Sequence, residues 1–310
     1  MTTPASPPPT LSGSLPALVT PLTAQRELAA DEVTTLVRRA VDDGASGVLV
    51  AGTTGEGALL EPEQRAVLTG HARRALDGLG DDHTGSRSLL VAGACAPTVN
   101  GLHADVARLG AAGADLLLVL APATYPLRSE ELVELHLDVA EAAATPTLVY
   151  HIPQVTNAAL EPAAVHTLAG HERIVGMKDS SPDTERRAAF IAAAAAAEGR
   201  FGVVTGHAPS LRSALEAGAS GSILAIANVR QRQVVALHAA VAAADEVGAA
   251  ELQRRLATIS DGLAKVGTSM PAALKAALQL EGVITERWCR PPLGSVPPDR
   301  LDLVRTALLA

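Results

Sequence analysis

Lysine is scarce in this chain, and one of its three lysines stands where an amine could act as a nucleophile. The segment Ile174-Val175-Gly176-Met177-Lys178-Asp179 puts Lys178 at the end of an apolar, strand-like run. Arginine fills nearly all the rest of the 25 cationic positions, so a lysine here is not a generic surface charge. Burial at a strand end disfavours the ammonium and exposes an amine able to attack a carbonyl. A second reading pairs Lys178 with the adjacent Asp179 as a structural ion pair. Lys265 and Lys275 lie in helical stretches, Leu263-Ala264-Lys265-Val266 and Pro271 to Leu278, and are expected to be solvated or to snorkel.

Tyr150 ends another apolar run, Thr147-Leu148-Val149-Tyr150-His151, and is one of two tyrosines. A phenol beside a reactive amine can relay protons, while a buried tyrosine with a satisfied hydroxyl is the plainer alternative. The turn Gly52-Thr53-Thr54-Gly55-Glu56-Gly57 offers two hydroxyls and several amides to a small anion, or is simply a tight turn. It is no phosphate loop, because no Gly-Lys-Ser/Thr follows. Neither Gly-x-Ser-x-Gly nor His-Glu-x-x-His occurs. His151 and His207 follow strand-like runs and either face substrate or make structural hydrogen bonds.

Eight apolar runs would carry these residues: Ala17 to Leu22, Gly47 to Ala51, Ser88 to Ala92, Asp115 to Leu120, Thr147 to His151, Ile174 to Lys178, Phe201 to Thr205 and Gly221 to Ala225. Between them lie amphipathic stretches whose starts carry caps, early acids or an early proline, as at Glu61-Pro62 and Glu161-Pro162. Glycine marks the joints back to the next run in Asp43-Gly44, Ala112-Gly113 and Ala217-Gly218. Eight such units predict an α/β fold, a (β/α)8 TIM barrel over residues 14–228. Residues 1–13, rich in Pro and Thr, read as a disordered tail, and residues 229–310 as a C-terminal helical subdomain.

Composition narrows the partners. The 310 residues carry 25 basic and 33 acidic side chains, a net charge of −8, and only 2% are aromatic, so no nucleic-acid partner is expected. Mean hydropathy is +0.23, yet no apolar stretch reaches the ~18 residues of a spanning helix, so no membrane partner is expected either. Two cysteines, Cys95 and Cys289, make no disulfide framework and fit a cytoplasmic location.

Taken in order, Gly52-Thr53-Thr54-Gly55-Glu56, Tyr150-His151-Ile152-Pro153 and Ile174 to Asp179 resemble the dihydrodipicolinate synthase and N-acetylneuraminate lyase family. The resemblance runs from Ala17-Leu18-Val19-Thr20-Pro21-Leu22 to Arg290-Pro291-Pro292-Leu293. It implies a TIM barrel, usually in a homotetramer, whose lysine forms an imine with pyruvate or another 2-oxo acid, with no metal and no organic cofactor. By matching positions it makes Lys178 the Schiff-base lysine, Tyr150 the proton relay, and Thr53 and Thr54 the carboxylate and relay hydroxyls. Gly52 and Gly55 belong to that turn, and Gly206 and Ile223 border the pocket.

Two positions depart from the family's synthases. Ala123 and Thr124 stand where two tyrosines commonly follow Pro122, with Tyr125 one residue further on. Val155 stands where an arginine holds the semialdehyde carboxylate, and valine offers no donor. The expected activity is therefore that of a class I lyase, reversibly cleaving a 4-hydroxy-2-oxo acid or 2-keto-3-deoxy sugar acid to pyruvate and an aldehyde. The alternatives are dihydrodipicolinate synthase, condensing pyruvate with aspartate semialdehyde, and a non-catalytic 2-oxo acid binding protein.

Overall fold

The computed structural model describes residues 9–80, 87–197 and 201–309. Eight parallel strands follow in chain order: β1 (Gly13–Pro16), β2 (Gly47–Val50), β3 (Leu89–Cys95), β4 (Leu116–Leu120), β5 (Thr147–His151), β6 (Ile174–Asp179), β7 (Gly202–Thr205) and β8 (Gly221–Leu224). Each pairs with its sequence neighbour from β2 to β8, and β8 pairs with β1. The seam between β1 and β2 is closed by a parallel bridge between Ala17 and Leu49, where Leu18 N–H donates to the Leu49 carbonyl at 2.8 Å. The sheet is thus the barrel expected from the eight apolar runs.

Helices α1 (Ala30–Asp42), α2 (Pro62–Asp77), α3 (Val99–Ala111), α4 (Ser129–Ala142), α5 (Pro153–Thr156), α6 (Pro162–Ala169), α7 (Thr184–Ala196), α8 (Leu211–Glu216) and α9 (Ala227–Ala242) alternate with the strands around the outside. Helices α2 and α6 begin with the Glu-Pro pairs read from the sequence. Two apolar shells result. Leu15, Leu49, Val91, Leu118, Leu148, Val204 and Ile223 fill the barrel interior, and a larger cluster lies between strands and helices.

Three boundaries differ from those read in the sequence. The first strand is Gly13–Pro16, not Ala17 to Leu22. The latter run is apolar because Leu18 and Val19 are buried in the outer shell and Leu22 is buried as well, while its backbone is held by Asn228, which accepts from Val19 N–H at 3.0 Å and donates to Ala17 O at 2.6 Å. Of the proposed tail 1–13, residues 1–8 lie outside the described residues, and Leu11 is fully buried in the barrel interior. The barrel does not end at residue 228. Helix α9 runs across it: Gln231 bonds Ser14 Oγ at 3.1 Å and His238 bonds Ser222 Oγ at 2.9 Å, so α9 completes the ring. The appended helices are α10 (Glu246–Ala264), α11 (Met270–Leu280) and α12 (Leu301–Leu309).

Candidate active site

Register between β5 and β6 decides which way the candidate lysine points. Thr147 pairs with Ile174 but Leu148 pairs with Gly176, so β6 carries one extra residue at its start. Beyond this bulge Tyr150 lies opposite Lys178. Because side chains alternate across a strand, one inserted residue moves Lys178 from the outer face to the interior face that Tyr150 occupies. Both are buried, at 4% and 6% exposure. The Lys178 Nζ sits 4.7 Å from the centroid of the Tyr150 ring, within cation–π range. Gly206, at the end of β7, makes room for it, since an added Cβ would stand 2.7 Å from Lys178 Cε and closer still to Ser180 Oγ.

Asp179 does not pair with Lys178. It faces the opposite side of β6, where its carboxylate meets His151 Nδ1 at 2.7 Å, Arg187 Nε at 2.7 Å and Ser181 N–H at 3.1 Å. Burial pushes the Asp179 carboxyl up, but the His151 hydrogen bond and the Arg187 charge outweigh it and hold it below the usual carboxylate range. His151 packs edge-on against Phe190, with ring centroids 5.1 Å apart. His207 Nδ1 bonds Ser210 Oγ at 2.8 Å. Both histidines therefore make structural hydrogen bonds.

The Gly52–Gly57 turn rises from the end of β2. Thr53 Oγ1 and Tyr150 Oη share a hydrogen bond at 3.3 Å, which links the turn to the β5–β6 pair. Glu56 adopts φ 58° and is buried below the turn. Its Oε2 accepts from Arg290 N–H at 2.5 Å, and its Oε1 forms an ion pair with Lys275 Nζ. Lys275 is 0% exposed and also donates to the Trp288 carbonyl at 2.7 Å. The expectation of a solvated Lys275 is thereby corrected, whereas Lys265 is exposed. Arg65 holds the other flank of the turn, donating to Gly57 O at 3.1 Å and Leu60 O at 2.6 Å while paired with buried Asp105 at 2.9 Å.

A cavity of about 160 Å³ opens above these groups at the C-terminal ends of β2 to β5. Of the residues singled out in the sequence, Gly52, Thr53, Tyr150 and Val155 line it and Lys178 does not. Thr54 is half-buried beside the lining. Gly55 lies beneath the turn, where its carbonyl accepts from Thr20 Oγ1 at 2.5 Å. Gly206 touches Lys178, and Ile223 packs with Tyr150 in the barrel interior. Tyr125 is 74% exposed and does not line the cavity. Sequence reasoning missed Glu56, Cys95, Leu118, Leu120 and Leu293, which also line it. Among the described residues no group of three or more His, Cys, Asp or Glu is placed to hold a metal ion. No helix there is long and apolar enough to cross a membrane.

Residues 10–310 match the model of the Dihydrodipicolinate synthetase family. A DapA-like lyase of Halobacterium salinarum, uncharacterised, is 33% identical over 94% of this chain and 92% of its own. A 4-hydroxy-tetrahydrodipicolinate synthase of Kineococcus radiotolerans is 32% identical over 93% of this chain and 89% of its own. The solved structure of the dihydrodipicolinate synthase of Acinetobacter baumannii complexed with pyruvate superposes with a TM-score of 0.87 at 26% identity, covering 97% and 98% of the two chains. The barrel, the amine–phenol–hydroxyl cluster at its strand ends and the match along almost the whole chain lead to one assignment: the chain belongs to the dihydrodipicolinate synthetase family of carbon–carbon lyases.

Proposed function

We propose that this protein is a class I, Schiff-base-forming lyase that reversibly cleaves a 4-hydroxy-2-oxo acid or 2-keto-3-deoxy sugar acid to pyruvate and an aldehyde. The observation that carries this reading is the line from Lys178 Nζ over the Tyr150 ring to the Tyr150–Thr53 hydrogen bond. Among the described residues no carboxylate pairs with the Lys178 ammonium, since Asp179 is occupied on the far side of the strand.

The Lys178 amine adds to the C2 carbonyl, and loss of water gives a protonated imine. The C3–C4 bond then breaks, its electron pair flowing into the imine to leave an enamine, while the C4 hydroxyl becomes the aldehyde carbonyl. Tyr150 takes the hydroxyl proton and passes protons along the Thr53 hydroxyl. Protonation of the enamine at C3 and hydrolysis of the imine release pyruvate and restore the lysine. The Thr53–Thr54 turn holds the 2-oxo acid carboxylate, fixing the reacting carbons against Lys178. Val155 in the cavity wall supplies no donor for a second carboxylate, which argues against aspartate semialdehyde as the partner. The homotetramer implied by the family resemblance is part of the proposal.

Incubation with pyruvate and borohydride, followed by peptide mass mapping, tests the reading. A reduced pyruvate adduct on the Lys178 peptide, absent from those of Lys265 and Lys275, is expected. A Lys178→Ala protein that retained full cleavage activity would overturn it.

A further inference from the structure

The walls of the cavity that Thr53 and Tyr150 line carry information about the second product. Leu59, Leu118, Leu120, Val155 and Leu293 supply most of its side chains, with Ala58, Ala94 and Cys95 between them. Among the described residues no lysine or arginine lines it; Lys178 reaches it only through Tyr150, whose ring centroid lies 4.7 Å from the Lys178 Nζ. The cavity's polar side chains are few, and the imine reading already assigns Thr53 and Tyr150 to the 2-oxo acid and its proton. Thr53 and Tyr150 bond each other, and both oxygens of Glu56 are taken by Lys275 and by Arg290 N–H. Burial pushes the Cys95 thiol up, so it is uncharged at neutral pH and behaves as a small apolar group.

We propose that the aldehyde handled by this lyase is uncharged and carries an apolar chain, so that the substrate is a 4-hydroxy-2-oxo acid with an alkyl or aryl group on C4. This inference rests on the imine reading of Lys178 and specifies the half of the substrate which that reading leaves open. A carboxylated aldehyde would bury a charge without a partner, and a polyhydroxylated one would bury hydroxyls facing leucine, valine and alanine, each of which is costly.

In the addition direction the enamine C3 attacks the aldehyde carbon and forms the C3–C4 bond. The carbonyl π pair moves to oxygen, which takes one proton to become the C4 hydroxyl. One water then hydrolyses the imine, returning the Lys178 amine and the 2-oxo group. Val155 and Leu293 stand on the walls from segments outside the barrel strands, Val155 on α5 and Leu293 after the cis Pro291-Pro292 peptide.

The experiment uses the full chain with pyruvate as donor and butanal, D-glyceraldehyde and succinic semialdehyde as acceptors, following consumption of pyruvate. We expect kcat/KM for butanal to exceed that for each of the others about tenfold or more, since an apolar pocket rejects an added hydroxyl by up to about a hundredfold. Glyceraldehyde or succinic semialdehyde at or above butanal would overturn the inference. The exposed position of Val155 tolerates Val155→Arg, which should move the ratio of succinic semialdehyde to butanal about tenfold or more toward the acid. An unmoved ratio would overturn the placing of Val155 beside the acceptor. Borohydride trapping on the same protein separates the two levels. A Lys178 adduct with no acceptor turned over defeats the apolar-aldehyde assignment alone, whereas no adduct defeats the imine reading and this one with it.

Discussion

Lys275 and Glu56 form a fully buried ion pair that joins helix α11 to the turn carrying Thr53 and Thr54. The C-terminal helices therefore anchor the turn through this pair, and Arg290 N–H adds a second bond to the same carboxylate. Breaking a buried pair from one side leaves an uncompensated charge and costs about 3–5 kcal/mol. Lys275→Met is expected to lose stability on that scale in urea denaturation and to lower kcat/KM, because the turn loses its anchor. The double variant Glu56→Gln with Lys275→Met should be more stable than Lys275→Met alone. Equal stability of the two would mean that the unpaired Glu56 carboxylate costs the Lys275→Met protein nothing.

Much of this was legible in the sequence, and what was not has physical reasons. The strand runs could be read because parallel barrel strands, covered on both faces, are continuously apolar. The same rule misplaced β1, since of the run Ala17 to Leu22 only its start bridges to β2, and the rest is apolar because it is buried while Asn228 holds its backbone. Lys178, Tyr150 and Thr53 were visible as polar residues at strand ends. The bulge that turns Lys178 inward was not, because no residue type marks the step between Ile174 and Gly176. Lys275 was misread for a related reason. A lysine on a helix shows nothing of a partner brought near only by the closed fold.

Gly206 offers a test of how closely Lys178 must be placed. An alanine Cβ would strike Lys178 Cε and the Ser180 hydroxyl, which can swing away, and press on Ser180 Cβ at 3.1 Å, which must give by a few tenths of an ångström while the lysine shifts. Misplacement by about 1 Å can cost around a hundredfold in rate. Gly206→Ala is expected to melt near the wild-type temperature, to trap pyruvate more slowly with borohydride and to lose about a hundredfold in kcat. Wild-type trapping kinetics would show that the close approach has no bearing on the lysine.

Tyr150 makes two separable contacts in the site. Its ring lies under the Lys178 Nζ, and its hydroxyl meets Thr53. Tyr150→Phe keeps the ring and removes the relay, so imine trapping should persist while kcat falls about 10²–10⁴-fold, the usual contribution of a positioned proton donor. Equal loss of trapping and turnover would place the role of Tyr150 in binding rather than in proton transfer.

Acid should weaken the fold through histidines that are neutral when folded. Burial pushes the His136 pKa down to about 4 from an ordinary 6.5, and His238 likewise to about 4. Between these values the unfolded chain takes up protons that the folded chain refuses. Stability thus rises with pH across this window and falls on acidification from pH 6.5 toward 4, by up to about 1.4 kcal/mol per pH unit for each histidine. His136→Leu fills the same buried position on α4 with an apolar side chain and should remove one histidine's share of the slope in melts taken from pH 7 to 4.5. A slope unaltered by the substitution would mean that His136 takes up its proton without unfolding, through an opening of α4 that admits water to the ring.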